Sequence, residues 1–340
     1  MSYPEKYLIV SLGSIGRRHL KNLRLLKPDA QIAVWRQHSK TANGELPEGA
    51  DYQFTTLKDV LNFKPAAAII AGPATRHRET ALSLTNAGVH LLIEKPVSDS
   101  LEGLDDLISI CDEQKLTLMV GYNLRFFPSL RETKRMLDEG AIGLVLSVRA
   151  EVGQYLPDWR PAADYRTGVT AQHALGGGVI LELSHELDYI YWMFGMPDFV
   201  TARGGHLSNL EIDVEDTVEL ILEYESPKRL INIHLDMVQR APVRCCRLIG
   251  ESGTLIWDAI ADRIECYTAE TKQWQTFDQY ALADRNQMYL DELAEFFDCI
   301  ATSRTPLIAG KQGRDIVAIA TAAKVSIQSG KTIEMRQYAQ

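Results

Sequence analysis

Tyr7-Leu8-Ile9-Val10-Ser11-Leu12-Gly13-Ser14-Ile15-Gly16 decides the fold. A short apolar run reaches a glycine turn, and leucines and cations then recur at helical spacing over 16–26. Strand, glycine turn and helix in that order open a dinucleotide-binding βαβ unit. Against the pattern G-x-G-x-x-G, the second and third glycines are Gly13 and Gly16, and the first position is Ser11. Gly13 lets the backbone approach a pyrophosphate, and Gly16 lets the helix pack on the strand. The helix start, Ser14 and Ile15 included, offers N–H groups and a positive dipole end to the phosphates. The competing reading of an incomplete motif is a glycine turn without a ligand.

The residues downstream support the first reading. Strand-like runs over 31–35, 66–71, 89–93 and 116–120 alternate with helix-like stretches over 56–62, 76–87 and 101–114. Gly88 is the expected C-cap of the second of these helices. Strands separated by helices of this kind signal a parallel sheet. After Tyr122 the style changes. A helix over 129–138 and a strand over 144–154 lead to strand-like segments between 199 and 267, joined by turns such as Gly250-Glu251-Ser252-Gly253. Stretches 217–224, 229–236 and 244–249 suit an antiparallel sheet with one covered face. The chain ends on helical patterns over 286–302 and 313–329. The expected architecture is α/β: a Rossmann dinucleotide-binding domain over 1–122 and a second α/β domain over 123–340.

Composition narrows the function classes. The chain has 340 residues, a formal charge of -9 and 46% hydrophobic residues, as ordinary globular proteins do. An acidic balance argues against nonspecific binding to nucleic acid or anionic membranes. No run approaches the ~18 continuous apolar residues of a membrane span, and 1–6 lacks the pattern of a secretory signal. Cys111, Cys245, Cys246, Cys266 and Cys299 are scattered without C-x-x-C spacing. They support neither a disulfide framework nor a metal site, and a reducing cytoplasm is the expected location.

Arg36 stands about 20 residues after the turn, where an NAD site carries Asp or Glu for the ribose 2′-hydroxyl. A guanidinium there suits the 2′-phosphate of NADP, with His38 and Lys40 nearby. Stacking of Arg36 on adenine, in a site that takes either NADP or NAD, is the alternative. Ala71-Gly72-Pro73-Ala74-Thr75 follows another strand, which puts Pro73 beside the pyrophosphate or the nicotinamide ribose. His77, just beyond it, is a helix-start residue or cofactor neighbour. Glu94-Lys95-Pro96 closes the 89–93 strand at a carboxyl end, where such sheets bind ligands. Lys95, followed by a proline, is therefore a candidate catalytic cation, with the solvated loop lysine as the alternative.

Gly176-Gly177-Gly178 precedes an expected amphipathic helix that continues to Phe194 and ends at Gly195. Glu182, His185 and Asp188 recur every three residues and would share a face. A neutral His185 can take a proton from a substrate hydroxyl, with a carboxylate to orient it. A buried helix histidine satisfied by that carboxylate is the alternative.

Taken in order, the glycine turn, Glu94-Lys95-Pro96, Gly121-Tyr122-Asn123 with Arg125 and Pro128, the triple glycine and His185-Glu186-Leu187-Asp188 resemble the Gfo/Idh/MocA family. The resemblance spans nearly the whole chain. It implies an N-terminal Rossmann domain and a C-terminal domain with an open, largely antiparallel sheet that carries a subunit contact, hence a homodimer or homotetramer. It also implies that the final helix packs back on the first domain. Lys95 becomes the family lysine that orients nicotinamide and substrate hydroxyl, with Glu94 beside the cofactor, and His185 the general acid/base. The family aspartate four residues before that histidine is Leu181 here, leaving Glu182 or Asp188 for its role. Asn123 and Arg125 are expected to touch substrate.

Asp158-Trp159-Arg160-Pro161 and Asp164-Tyr165-Arg166 add aromatics and cations, with Trp159, Arg160 and Tyr165 as substrate candidates. Arginine suits a carboxylate or phosphate and an aromatic face suits a sugar ring; a lid loop that only orders the domain interface is the alternative. This segment resembles a branch associated with bacterial surface-sugar and sialic-acid-like pathways. The function so implied is hydride transfer between NADP or NAD and a secondary alcohol or ketone of a sugar-like substrate. A cofactor-cycling lyase or glycosidase and a non-catalytic nucleotide-binding regulator are the alternatives. The catalytic reading requires Lys95 and His185, from different domains, to face one site.

Overall fold

Apolar runs without alternation build the first sheet of the computed structural model, which describes residues 5–37, 45–278, 280 and 284–338. Strands β1 (Lys6–Val10), β2 (Gln31–Trp35), β3 (Tyr52–Phe54), β4 (Ala67–Ile70), β5 (His90–Glu94) and β6 (Leu118–Gly121) are all parallel, in the order β3-β2-β1-β4-β5-β6. Leu8, Ile9, Val34, Ile69, Leu92 and Ile93 are buried at consecutive positions, as strands covered on both faces must be. Helices α1 (Ser14–Leu26), α2 (Leu57–Phe63), α3 (His77–Thr85) and α4 (Leu104–Glu113) connect them. Thr56 caps α2 by accepting a hydrogen bond from the Asp59 N–H. The cap residue of α3 is Asn86 rather than Gly88, which instead takes a left-handed turn, φ 76°, two residues later.

A second sheet follows helix α5 (Pro128–Asp138). It comprises β7 (Val145–Gly153) and, after helices α6 (Leu156–Trp159), α7 (Val179–Glu182) and α8 (His185–Phe194), strands β8 (Phe199–Gly205), β9 (Thr217–Glu225), β10 (Lys228–Asp236), β11 (Val243–Gly250), β12 (Gly253–Asp258), β13 (Arg263–Thr268) and β14 (Gln273–Phe277). Helices α9 (Gln287–Thr302) and α10 (Gly310–Ser329) precede the edge strand β15 (Ile333–Glu334). The order is β14-β13-β12-β11-β7-β10-β9-β8-β15, and β7 with β10 is its parallel pair, the others being antiparallel. Strict alternation in β9 buries Val218, Leu220, Leu222 and Tyr224 and turns Glu219, Ile221 and Glu223 outward. The open face carries Leu146, Ile221 and Leu230 among its polar residues.

The chain divides into two compact units: Met1–Asn123 with Asn286–Val317, and Leu124–Arg285 with Ala318–Gln340. The segment that rejoins the first unit is thus α9 with the start of α10. Reciprocal amide hydrogen bonds between Asn22 and Asn286, 2.8 and 3.2 Å, tie α1 to the start of α9. Among the described residues no helix is long and apolar enough to cross a membrane.

On the open face of the second sheet, the partly exposed His234 stands between two carboxylates. One ring nitrogen is 2.6 Å from Glu219 and the other 3.1 Å from Asp236. The Asp236 hydrogen bond, with help from Glu219, raises its pKa from the ordinary 6.5 to about 9. A folded-state pKa above the unfolded one stabilises fully below the unfolded pKa, and that gain is lost as pH rises through the folded value. Thermal melts from pH 6 to 10 should therefore show a falling Tm as pH passes from about 6.5 to about 9. A His234→Gln variant should lose that slope, and equal slopes in both proteins would refute the assignment.

Candidate active site

The glycine turn is shaped by one close approach. A Cβ on Gly16 would stand 2.2 Å from the Ser11 carbonyl oxygen, so only glycine lets α1 sit this close to the turn. Ser11 itself adopts φ 73°, the left-handed region that the motif's first glycine ordinarily supplies. Its N–H is held by the Trp35 carbonyl at 3.0 Å. Gly13 caps α1 without a side-chain hydrogen bond, and a Cβ there would meet nothing within 4 Å. The first turn of α1 therefore presents backbone N–H groups of Ser14, Ile15 and Gly16 beside open space, which fits a dinucleotide pyrophosphate.

Because the six strands are parallel, the segments after β1, β2, β4 and β5 lie along one edge of the sheet. This gathers Gly13, Arg36, Pro73 and Lys95. Arg36 follows β2, its side chain is half-exposed, and it forms no ion pair among the described residues. A cavity of about 470 Å³ opens against its neighbours Trp35 and Gln37, with Thr55, Arg76, Glu79 and Thr80 in its wall. The sequence did not single out Arg76, which brings a second cation to this part of the sheet edge. His38 and Lys40 lie outside the described residues.

The Glu94-Lys95-Pro96 turn is anchored from below. The Glu94 side chain, 11% exposed, has one oxygen 2.6 Å from Nε2 of the fully buried His19 on α1. Its other oxygen accepts the Lys95 backbone N–H at 3.2 Å. Glu94 was expected to be a cofactor contact, but its carboxylate is engaged with the turn itself. Gly121, its register partner on β6, leaves room for it, since a Cβ there would already touch that carboxylate at 3.3 Å. Glu292 of α9 completes a buried group, its carboxylate and the ligand atoms of His19 and Glu94 lying within 4.8 Å of one another. The Lys95–Pro96 peptide is cis. His77 is fully buried, and its ring nitrogens lie 2.9 Å from the Pro96 carbonyl and 2.8 Å from the Gly72 carbonyl. Burial pushes its pKa down, so it sits as a neutral brace between two loops.

In the second unit the expected continuous helix is broken. α7 ends at Glu182, Leu183 leaves helical geometry at φ -99° and ψ 26°, and α8 begins at His185. Glu182 and His185 therefore do not share the face of one helix, contrary to the spacing argument. The triple glycine serves the approach to α7. Gly178 has φ 104°, and a Cβ on it would fall 2.5 Å from the Glu215 carboxylate, which accepts the Ile180 N–H. His185 is half-buried at the first residue of α8, while Glu186, Leu187 and Asp188 are buried.

Arg125 corrects a second expectation. Its guanidinium is fully buried and donates to both oxygens of the equally buried Asp188, at 2.7 to 3.1 Å. This bidentate pair buries both charges against one another, in place of the solvent-facing guanidinium expected for Arg125. Burial pushes the Asp188 carboxyl up, against the pull of Arg125. Asn123 is also buried, at 6% exposure. Trp159 and Tyr165 are half-buried and Arg160 is exposed. The Trp159 indole donates to the Gln154 carbonyl at 2.9 Å, and the Tyr165 hydroxyl accepts the Glu211 N–H. Arg166 clamps Asp164 to Glu211 and lowers the Asp164 pKa.

Removing one partner of a buried pair leaves an uncompensated charge. Asp188→Ala should lower unfolding free energy by about 3–5 kcal/mol in urea titrations. An Arg125→Leu/Asp188→Leu double variant should lose less than the single one.

Residues 6–122 match the model of the "oxidoreductase family, NAD-binding Rossmann fold", and residues 130–256 match the "GFO/IDH/MocA C-terminal domain". A myo-inositol 2-dehydrogenase from Thermotoga maritima is 23% identical, the match covering 97% of this chain and 98% of the relative. A 2,7-anhydro-N-acetylneuraminate hydratase from Mediterraneibacter gnavus is 29% identical across 42% of this chain and 37% of its own. Among solved structures, a levoglucosan dehydrogenase in complex with NADH superposes with a TM-score of 0.84 at 17% identity, covering 98% of this chain and 99% of that one, a likeness of fold.

Proposed function

The chain belongs to the Gfo/Idh/MocA family of oxidoreductases, and we propose that it moves a hydride between a nicotinamide cofactor and a secondary alcohol or ketone of a sugar-like substrate. One observation carries this reading: the Glu94-Lys95-Pro96 turn stands at the carboxyl end of β5, on the sheet edge that also bears the open glycine turn. When bound, the nicotinamide ring supplies the hydride acceptor or donor. The chain's own residues handle position and proton. The Lys95 ammonium donates to the oxygen on the reacting carbon and holds it against the cofactor. The His185 imidazole takes the hydroxyl proton during oxidation and returns it during reduction. Glu182, three residues before it, is the carboxylate for stabilising the resulting imidazolium, since Glu186 is paired with Arg244 and Asp188 with Arg125.

Arg36, at the position after β2 where an NAD site carries Asp or Glu, supports NADP over NAD, since a guanidinium grips a 2′-phosphate; the neighbouring cavity adds Arg76, with Glu79 as its carboxylate. The inositol dehydrogenase relative supports a polyol or sugar ring as substrate, and Trp159, Arg160 and Tyr165 supply aromatic and cationic groups for one. The hydratase relative favours a second reading, in which the cofactor cycles within one turnover on a sialic-acid-like sugar. Net accumulation of reduced or oxidised cofactor separates the two. The exposed Leu146, Ile221 and Leu230 on the open sheet face support a homo-oligomer, which light scattering would register.

A screen of inositols, sugars, uronates and sialic acid derivatives, followed by NAD(P)H absorbance, tests the assignment. Lys95→Ala and His185→Ala should each lower kcat/KM by about 10²- to 10⁴-fold. In the same assay, Arg36→Ala should cut the NADPH-over-NADH preference about tenfold. Wild-type turnover by Lys95→Ala would overturn the mechanism, and a strong NADH preference in the parent enzyme would overturn the cofactor assignment.

A further inference from the structure

We infer that two buried histidines outside the reacting set, His19 and His77, are positioning residues for Lys95. The inference rests on the catalytic reading of that lysine and names what aims it. All the groups involved belong to the first unit.

His19 is 0% exposed, and among the described residues its Nδ1 has no hydrogen-bond partner. Its polar tie is the 2.6 Å contact from Nε2 to Glu94. A carboxylate only accepts, so Nε2 carries the proton and donates it. Glu94 passes the constraint on, because its second oxygen receives the Lys95 N–H. The position of the imidazole is set in turn by α9. The Tyr289 ring meets it edge-on at 6.1 Å and 78°, Arg18 covers that tyrosine at 4.5 Å, and Glu292 closes the group. The helix that starts at the glycine turn and the turn that carries the lysine are therefore linked through two side chains.

His77 holds the other side of the lysine. Its nitrogens face the Pro96 and Gly72 carbonyls, one from the lysine turn and one from the loop after β4. Carbonyl oxygens only accept, and a neutral imidazole has a single N–H, so each tautomer ties one of the two loops. The residue before Lys95 is held by His19 and the residue after it by His77. The lysine's four-carbon stem is flexible and cannot fix its own origin. A backbone held on both sides narrows where the ammonium can stand, and misplacement by about 1 Å can cost ~10²-fold in rate.

The test compares replacements that keep or remove the hydrogen bond, on the best substrate of the screen, with Lys95→Ala alongside. His19→Met fills the space without donating, while His19→Gln keeps an N–H; His77→Met and His77→Gln repeat the comparison at the second site. The Met variants should lose about tenfold or more in kcat, with cofactor Kd from NAD(P)H fluorescence within threefold of the parent. The Gln variants should recover to within about threefold. A role in stability alone would lower Tm without this split between kcat and binding and without rescue. Equal kcat for Met and Gln variants at both positions would overturn the inference. Should His19→Met not fold, the His77 pair decides by the same criterion. If Lys95→Ala turns over at the parent rate, the catalytic reading fails. If it is inactive while both Met variants are unimpaired, the brace alone is wrong.

Discussion

The first unit depends on the contact between the Ser11 carbonyl and Gly16. A side chain at Gly16 would begin 2.2 Å from that oxygen, so any other residue pushes α1 off β1 and β4. The turn is fixed from the other side as well. The Ser11 N–H is bonded to the end of β2, and a Cβ on Gly72 would already lie 3.0 Å from the Ser11 hydroxyl. The segments after β1, β2 and β4 thus share one packed junction. The seating of α1 sets the place of His19, which sets Glu94, which meets the backbone of Lys95. A steric requirement at one glycine is transmitted to the turn at the end of another strand.

The second unit anchors its histidine differently. The helix that starts with His185 is buried along its next five residues and holds two ionic contacts, Asp188 with Arg125 and Glu186 with Arg244. Buried ion pairs are weak sources of net stability but strong constraints on geometry, because each partner leaves the other stranded if it moves. Tyr189 adds an edge-on contact on Trp257, whose indole donates to Ser129. The polar groups that look functional in sequence around His185 are largely the fastening, and His185 is what they fasten.

The expectations that held concern periodicity and local sterics. Continuous apolar runs gave the parallel sheet, alternation gave the largely antiparallel one with its parallel β7–β10 pair, and the glycine turn fell between β1 and α1 as its pattern requires. The three-residue β3, Tyr52–Phe54, was missed because so short a run carries no period. The break between α7 and α8 was missed because Leu183-Ser184 contains neither Gly nor Pro. Glu215, distant in sequence, fixes the other end of α7 by accepting the Ile180 N–H. The pairing of Arg125 with Asp188 was not legible because charge at a motif position looks the same whether it faces a ligand or another charge.

By itself the sequence determined the class of each element, the dinucleotide turn, the lysine at a strand end and the family, since these rest on spacing and on residue-level sterics. Only the tertiary structure decided which charges cancel one another, that α9 joins the first unit, and that Ser11 accepts the left-handed conformation of a glycine. It also decided that Glu94 turns inward to His19. These outcomes depend on pairings between positions far apart in the chain, where side-chain chemistry states what a group can bond but not which partner packing brings to it.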